Sequence, residues 1–141
     1  MKFVRLAVAL FALFFVLPTV ASAAVVAKVS ISSQRMTVYV DGVARYTWPV
    51  STARSGYRTP IGSFRAQRME AVWYSTIYDN APMPHAIFFN GGYAVHGTNA
   101  VWKLGSPASH GCIRLSPWNA SVLYGLVRQH GMWSSQIIVS R

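Results

Sequence analysis

A mainly β domain with a single helix is the fold class this chain predicts, and three observations predict it. From Val25 to Val50, β-branched and polar residues roughly alternate, the period of half-buried strands. Gly-, Asn- and Pro-containing turn signals then recur at short intervals as far as Gly92. Only one stretch, the one following Ser116, carries an apolar stripe at helical spacing.

The elements follow in order. Val25–Ile31 reads as a first strand and Met36–Val40 as a second. Asp41-Gly42 is a two-residue hairpin signal that returns the chain through Val43–Val50. Ser51–Gly56 is a polar loop. Thr59-Pro60-Ile61-Gly62 is turn chemistry, because Pro presets φ and Gly tolerates positive φ. Phe64–Tyr74 is expected as one further strand, and Ile77–His85, interrupted by Asn80, Pro82 and Pro84, as an irregular segment crossing the surface. Ala86–Phe89 and Tyr93–Val95 are short strands about an Asn90-Gly91-Gly92 turn. Ser116 is placed to cap a helix whose first position is Pro117, whose inner stripe is Leu123, Leu126 and Val127, and which stops at Gly131. Ile137–Val139 closes the fold as a last strand.

The start of the chain reads differently. Lys2 and Arg5 precede an unbroken apolar run from Leu6 to Leu17, and Ala21-Ser22-Ala23 offers small residues at a cleavage point. Residues 1–23 are therefore expected to be a secretory signal, with one domain over 24–141. The run is short against the roughly 20 apolar residues a membrane-crossing helix needs, so no lasting membrane span is expected. The formal charge of +10 falls to +8 without Lys2 and Arg5. An exported basic protein is drawn to polyanionic envelope polymers or anionic lipid, and nucleic acid is excluded as a natural partner. Cys112 is the single cysteine, which rules out an internal disulfide. An unpaired thiol in an exported chain is a buried bystander, an intermolecular linker or a reactive group.

The neighbours of Cys112 favour the last. Val95-His96-Gly97-Thr98 is followed, after a loop, by Ser109-His110-Gly111-Cys112-Ile113-Arg114-Leu115. A thiol needs a base or a cation to become a nucleophile, and imidazole supplies either. A strand–loop–strand brings His96 near Cys112, and Gly111 lets the backbone approach a substrate carbonyl. A zinc site built from His96, His110 and Cys112 is the other chemical option, with His85 as a further ligand.

The segment from His96 to Leu115 resembles the signature of the L,D-transpeptidase catalytic domain, the YkuD-type family: a His-Gly pair, a loop, then Ser-His-Gly-Cys. The resemblance extends to Gln34–Val40, Pro49-Val50-Ser51-Thr52, Thr59–Phe64, Met83-Pro84 and the helix at Ser116-Pro117, so it spans the whole expected domain. It implies a β-sandwich or barrel with one helix after the catalytic motif, and a reaction without cofactor or metal. Cys112 would be the nucleophile and His96 the base, oriented by the Gly97 carbonyl. Ser109 and His110 would shape the pocket, with the Gly111 and Cys112 amides as the oxyanion hole. Arg114 would support the loop or attract a substrate carboxylate, and Tyr78 is the candidate aromatic residue over the site. Some members carry Asn where this chain has Arg114; Arg also occurs there in the family, which leaves the subgroup open.

The implied substrate is the peptidoglycan stem peptide. The thiolate would attack the carbonyl of the third residue, release D-Ala, and pass the acyl group to an amine, making a 3→3 cross-link or attaching a lipoprotein. Water as acceptor would make the enzyme an L,D-carboxypeptidase or hydrolase instead. A cationic wall-binding protein with an inactive site is the non-enzymatic alternative. A monomer in the periplasm or cell envelope is expected.

Overall fold

A computed structural model of the chain describes residues 15–17 and 22–141. The expected signal at 1–23 falls largely outside the described residues. Among those residues no helix is long and apolar enough to cross a membrane.

Among the described residues, nine strands form two mixed sheets around one α-helix. In chain order they are β1 (Val25–Ser30), β2 (Arg35–Val40), β3 (Val43–Pro49), β4 (Gly62–Arg65), β5 (Arg68–Glu70), β6 (Ala86–Asn90), β7 (Tyr93–Gly97), β8 (Ile113–Leu115), α1 (Pro117–His130) and β9 (Ser135–Ser140). The first sheet runs β3-β2-β1-β9-β4 and the second β5-β6-β7-β8. The fold is thus the expected mainly β arrangement with one helix after the motif, in two sheets that do not close into a barrel.

Alternation sets the packing. On β1, Val25, Ala27 and Val29 are buried while Lys28 is exposed, and β9 answers in parallel register with Val25 opposite Ser135 and Val29 opposite Val139. These residues join Met36, Val38, Ile87, Phe89, Val95, Ile113, Leu115, Leu123, Val127 and Ile137 in one core. The helix begins as expected: the Asn119 amide donates to Ser116 Oγ at 3.2 Å and Pro117 takes the first position. Gly131 ends it at φ 92°, its N–H donating to the Val127 carbonyl.

The span expected as a single strand, Phe64–Tyr74, is two short ones in different sheets. Phe64 and Arg65 pair with β9, whereas Arg68–Glu70 pair with β6. Between them the Ala66 amide still bonds Ser135, while the next amide, Gln67, already bonds Phe88. The chain crosses from one sheet to the other within two residues, the corner of a sandwich.

β6 is buried on both faces. Ile87 and Phe89 enter the main core; Ala86 and Phe88 enter a smaller apolar cluster with Met83 and Ala94, against which Trp73 and Cys112 pack. That second face of the second sheet carries the candidate chemistry.

Candidate active site

The register of β7 and β8 decides which side chains meet. These strands pair in parallel with Val95 opposite Ile113, His96 opposite Arg114 and Gly97 opposite Leu115. Side chains alternate across a sheet. Val95, Ile113 and Leu115 therefore point into the main core, and Ala94, His96, Cys112 and Arg114 share the other face. A slip of one residue would bury the thiol in the main core and turn Ile113 toward the cleft.

His96 is almost fully buried, and its Nδ1 lies 2.7 Å from the Gly97 carbonyl oxygen. A carbonyl only accepts, so Nδ1 carries the hydrogen and Nε2 keeps its lone pair. Burial lowers the imidazole pKa from 6.5 to about 4; the Gly97 bond opposes the shift and the Arg114 charge adds to it. His96 is neutral at pH 7. Burial likewise raises the Cys112 thiol above its ordinary value, against the smaller effects of the Ala94 N–H and of Arg114. The Ala94 amide donates to Sγ at 3.4 Å, and Sγ lies 3.9 Å from the Gly92 carbonyl. The resting pair is a neutral thiol and a neutral imidazole, an arrangement suited to general-base activation.

The loop before Cys112 is held from behind by buried polar groups. Ser109 Oγ donates to the Cys112 carbonyl at 2.6 Å and accepts from the Gly111 amide at 3.0 Å. Thr59 Oγ1 donates to the Gly111 carbonyl at 2.9 Å and accepts from the Ala53 amide at 3.0 Å. Thr52 receives the Ala108 and Ser109 amides on its carbonyl, and its side chain is clamped by Gln34 Nε2. Every buried side-chain nitrogen and oxygen among the described residues has a partner. Gly111 sits at φ 137°, and a Cβ there would lie 2.5 Å from Tyr93 Cε1 and 2.8 Å from the Arg58 carbonyl oxygen. Only glycine fits.

These groups open onto a cleft of about 610 Å³ lined by Tyr78, Met83, Tyr93, His96, Asn99, Ser109, His110, Cys112 and Arg114, among others. Of the catalytic and substrate-binding residues expected from the sequence, Gly97 and Gly111 lie outside its lining and make their contacts through their backbones. The Gly111 N–H is already engaged by Ser109, so it differs from the free oxyanion donor expected of it. Arg114 is half-buried, with Nη1 3.4 Å from the Ala108 carbonyl. Tyr78 stacks flat on His110, centroids 3.9 Å apart at 8°, and Tyr57 meets the same imidazole edge-on. His110 is thus an aromatic partner on the cleft rim. His85 packs edge-on against Tyr124, and no three His, Cys, Asp or Glu side chains among the described residues are arranged to hold a metal ion. Sequence reasoning passed over Thr59 and Tyr93. Thr59-Pro60 carries an ordinary turn signal, and nothing local announces a bond across 52 positions.

Fold and site together define a class: a two-sheet domain with a thiol and a buried neutral imidazole on one face of adjacent parallel strands. The L,D-transpeptidase catalytic domain (YkuD) matches residues 24–136, and the chain belongs to that family. It is 30% identical over 121 residues to L,D-transpeptidase 1 of Mycobacterium tuberculosis (strain H37Rv), covering 74% of this chain and 47% of that relative. An L,D-transpeptidase from Mycobacterium smegmatis has a similar structure: TM-score 0.74, 29% identity, 84% of this chain and 59% of that one. L,D-transpeptidase 3 from M. tuberculosis, solved with a faropenem-derived adduct, gives 0.71 at 27% identity over 84% of this chain and 61% of that one. The chain spans about half the length of the curated relatives it matches.

Proposed function

We propose that this chain is a cysteine-dependent L,D-transpeptidase acting on peptidoglycan stem peptides. The observation that carries it is the shared face of His96 and Cys112, set by the β7–β8 register, with His96 Nδ1 committed to the Gly97 carbonyl.

The chemistry follows from two neutral groups. As Sγ attacks the carbonyl of the third stem residue, His96 Nε2 takes the thiol proton. The Cys112 N–H, with the Gly111 amide engaged elsewhere, faces the developing oxyanion. Collapse breaks the bond to D-Ala, the imidazolium returns its proton to the departing amine, and a thioester remains on Sγ. An acceptor amine then gives a proton to His96 as it attacks the thioester, and the thiol is regenerated. Arg114, on the same face, is a cation suited to a carboxylate of the stem. Formation of 3→3 cross-links or attachment of a lipoprotein is the outcome with an amine acceptor. Export through residues 1–23 would bring the enzyme to its substrate.

The test is intact-mass analysis after incubation with disaccharide-tetrapeptide, and separately with a penem. Wild type is expected to gain the acyl mass on Cys112 and to release D-Ala. Cys112→Ala is expected to gain none and form no product. Product from Cys112→Ala, or an adduct on another residue, sinks the proposal. Free tripeptide in place of cross-linked product would identify water as the acceptor.

A further inference from the structure

Two side chains that stay charged across the neutral range line the cleft, Arg114 and Asp79. Arg114, on β8, suits a carboxylate of the stem. Asp79 has no part in the chemistry so far. It is one of 3 acidic residues in a chain with 13 lysines and arginines. Of the other two, Glu70 is paired with Arg68 at 3.2 Å and Asp41 lies in the turn between β2 and β3. Among the described residues Asp79 makes no ion pair, despite that excess of cations.

Turn geometry explains the backbone at this position and not the charge. Tyr74 bridges to Pro82, the Ser75 amide donates to the Ala81 carbonyl at 2.9 Å, and the Ala81 amide donates to the Tyr78 carbonyl at 2.9 Å. The tip of this narrow loop is Asp79-Asn80, at φ 48° and 52°. Asp and Asn both adopt that conformation at little cost, and Asn80 does so without a charge. The tip is tied to the nucleophile loop through its neighbour, because Tyr78 stacks on His110, two residues before Cys112. Burial and the Arg54 and Arg114 charges lower the His110 pKa, and the Asp79 carboxylate opposes them across the cleft rim.

We propose that Asp79 recognises the acceptor amine, in its ammonium form, at the mouth of the cleft. This rests on the reading that the cleft carries out transpeptidation, and it names the residue that favours an amine over water. The donor brings carboxylates and the acceptor brings a cation; the cleft offers Arg114 to the first and Asp79 to the second. An alkyl amine is protonated at pH 7 and water is uncharged, so a carboxylate at the entrance enriches one acceptor and not the other. The bound ammonium releases one proton to solvent, which reaches the exposed Asp79. The freed lone pair attacks the thioester carbonyl and a second proton passes to His96 Nε2. The C–S bond breaks, and Sγ takes that proton back from the imidazolium. Asp79 gathers the acceptor and takes part in no bond change, so its effect belongs in KM.

The probe is Nα-acetyl-L-lysine amide, an alkyl ammonium, offered with disaccharide-tetrapeptide as donor; mass spectrometry counts ligated product against free tripeptide. Asp79→Asn keeps the turn preference and the shape and removes only the charge. It is expected to raise KM for the lysine amide about three- to fivefold, the size of one exposed ion pair, and to shift product toward free tripeptide. The rate of penem acylation on Cys112 is expected to stay within about twofold, since the donor half does not involve the carboxylate. Hydroxylamine, mostly uncharged at pH 7, should serve both proteins equally. In wild type, added salt should raise KM for the lysine amide and not for hydroxylamine, which keeps the test decisive if the variant folds poorly. An unchanged KM in Asp79→Asn, an equal loss with hydroxylamine, or a KM for the lysine amide indifferent to salt overturns the assignment. Binding is read separately in Cys112→Ala, where the lysine amide should shift the Asp79 and Asn80 amide resonances. Binding there with no transfer by wild type would sink the transpeptidase proposal alone; transfer to amines indifferent to Asp79 would sink this inference alone.

Discussion

The loop that carries Cys112 and the segment that covers it are built to opposite specifications. Residues 109–112 are locked by Ser109, Thr59 and Thr52 through a chain of buried hydrogen bonds, with a glycine at φ 137° where no Cβ fits. The covering segment from Ser75 to Pro82 is exposed along most of its length, and its bonds are largely internal: Ser75 to Ala81, Ala81 to Tyr78, and Ser75 Oγ to the amides of Ile77 and Tyr78. Asp79 and Asn80 hold positive φ at its tip. Its described aromatic contact with the loop is the Tyr78–His110 stack. Under the proposed function the attacking atom must be held to a fraction of an ångström, whereas the segment above it must let a substrate in. Buried hydrogen bonds are concentrated at the loop where the proposed bond changes would occur and are sparse at the segment over the cleft.

The largest effect should come from breaking the rigid side. Gly111→Ala is expected to cost about 4 kcal/mol, since the methyl would overlap both Tyr93 and the Arg58 carbonyl in a backbone conformation that side chains rarely adopt. Thermal unfolding should fall by more than about 10 °C and acyl-enzyme formation should be lost. An unchanged melting temperature would show that the loop is not held as tightly as its contacts indicate.

Protonation probes the same side with a smaller effect. His96 titrates near 4 in the folded protein and near 6.5 when unfolded, so between those values the unfolded chain binds more protons. Stability therefore rises with pH across that window and is lost on acidification from about 6.5 to about 4. The loss approaches about 3 kcal/mol, the size of the pKa difference. Substituting His96 by Gln should flatten that part of the curve. The raised thiol makes a second prediction from the same burial: iodoacetamide should label Cys112 slowly at pH 7 and faster only above the ordinary thiol range. Fast labelling at neutral pH with an apparent pKa below about 7 would mean a preformed thiolate–imidazolium pair, and general-base activation would fall.

How far the sequence reached follows the same division. That His96 and Cys112 would be brought to one site was legible because glycine, histidine and cysteine at that spacing have few structural reasons to occur together, and both do line one cleft. The helix was legible because Ser116, Pro117 and Gly131 are local signals. The switch of sheets at Ala66–Gln67 was not, because alternation reports which face a residue uses and says nothing of which strand lies beside it. Nor was the engagement of the Gly111 amide by Ser109 foreseen, since a hydroxyl two residues away can face either solvent or backbone. Tyr78 was within reach only through family resemblance. Its contact with His110 joins positions 32 apart through a segment without regular structure.

The smallest effect should come from the loose side, and it separates the two regions most cleanly. Tyr78 is partly exposed, and its ring stacks on an imidazole that is itself on the cleft rim. Such a pair is worth about 1 kcal/mol, less where water reaches it. Tyr78→Ala should leave the melting temperature within a few degrees of wild type, because no core contact is removed. It should instead raise KM for the tetrapeptide several-fold with a smaller change in kcat, since the segment would dwell longer away from the cleft. Tyr78→Phe keeps the ring and should restore most of the loss. If Tyr78→Ala instead destabilised the fold as Gly111→Ala is expected to, the covering segment would belong to the rigid scaffold. If it changed neither KM nor kcat, the stack would have no part in holding substrate, and closure over the cleft would have to depend on Ile77 or Met83.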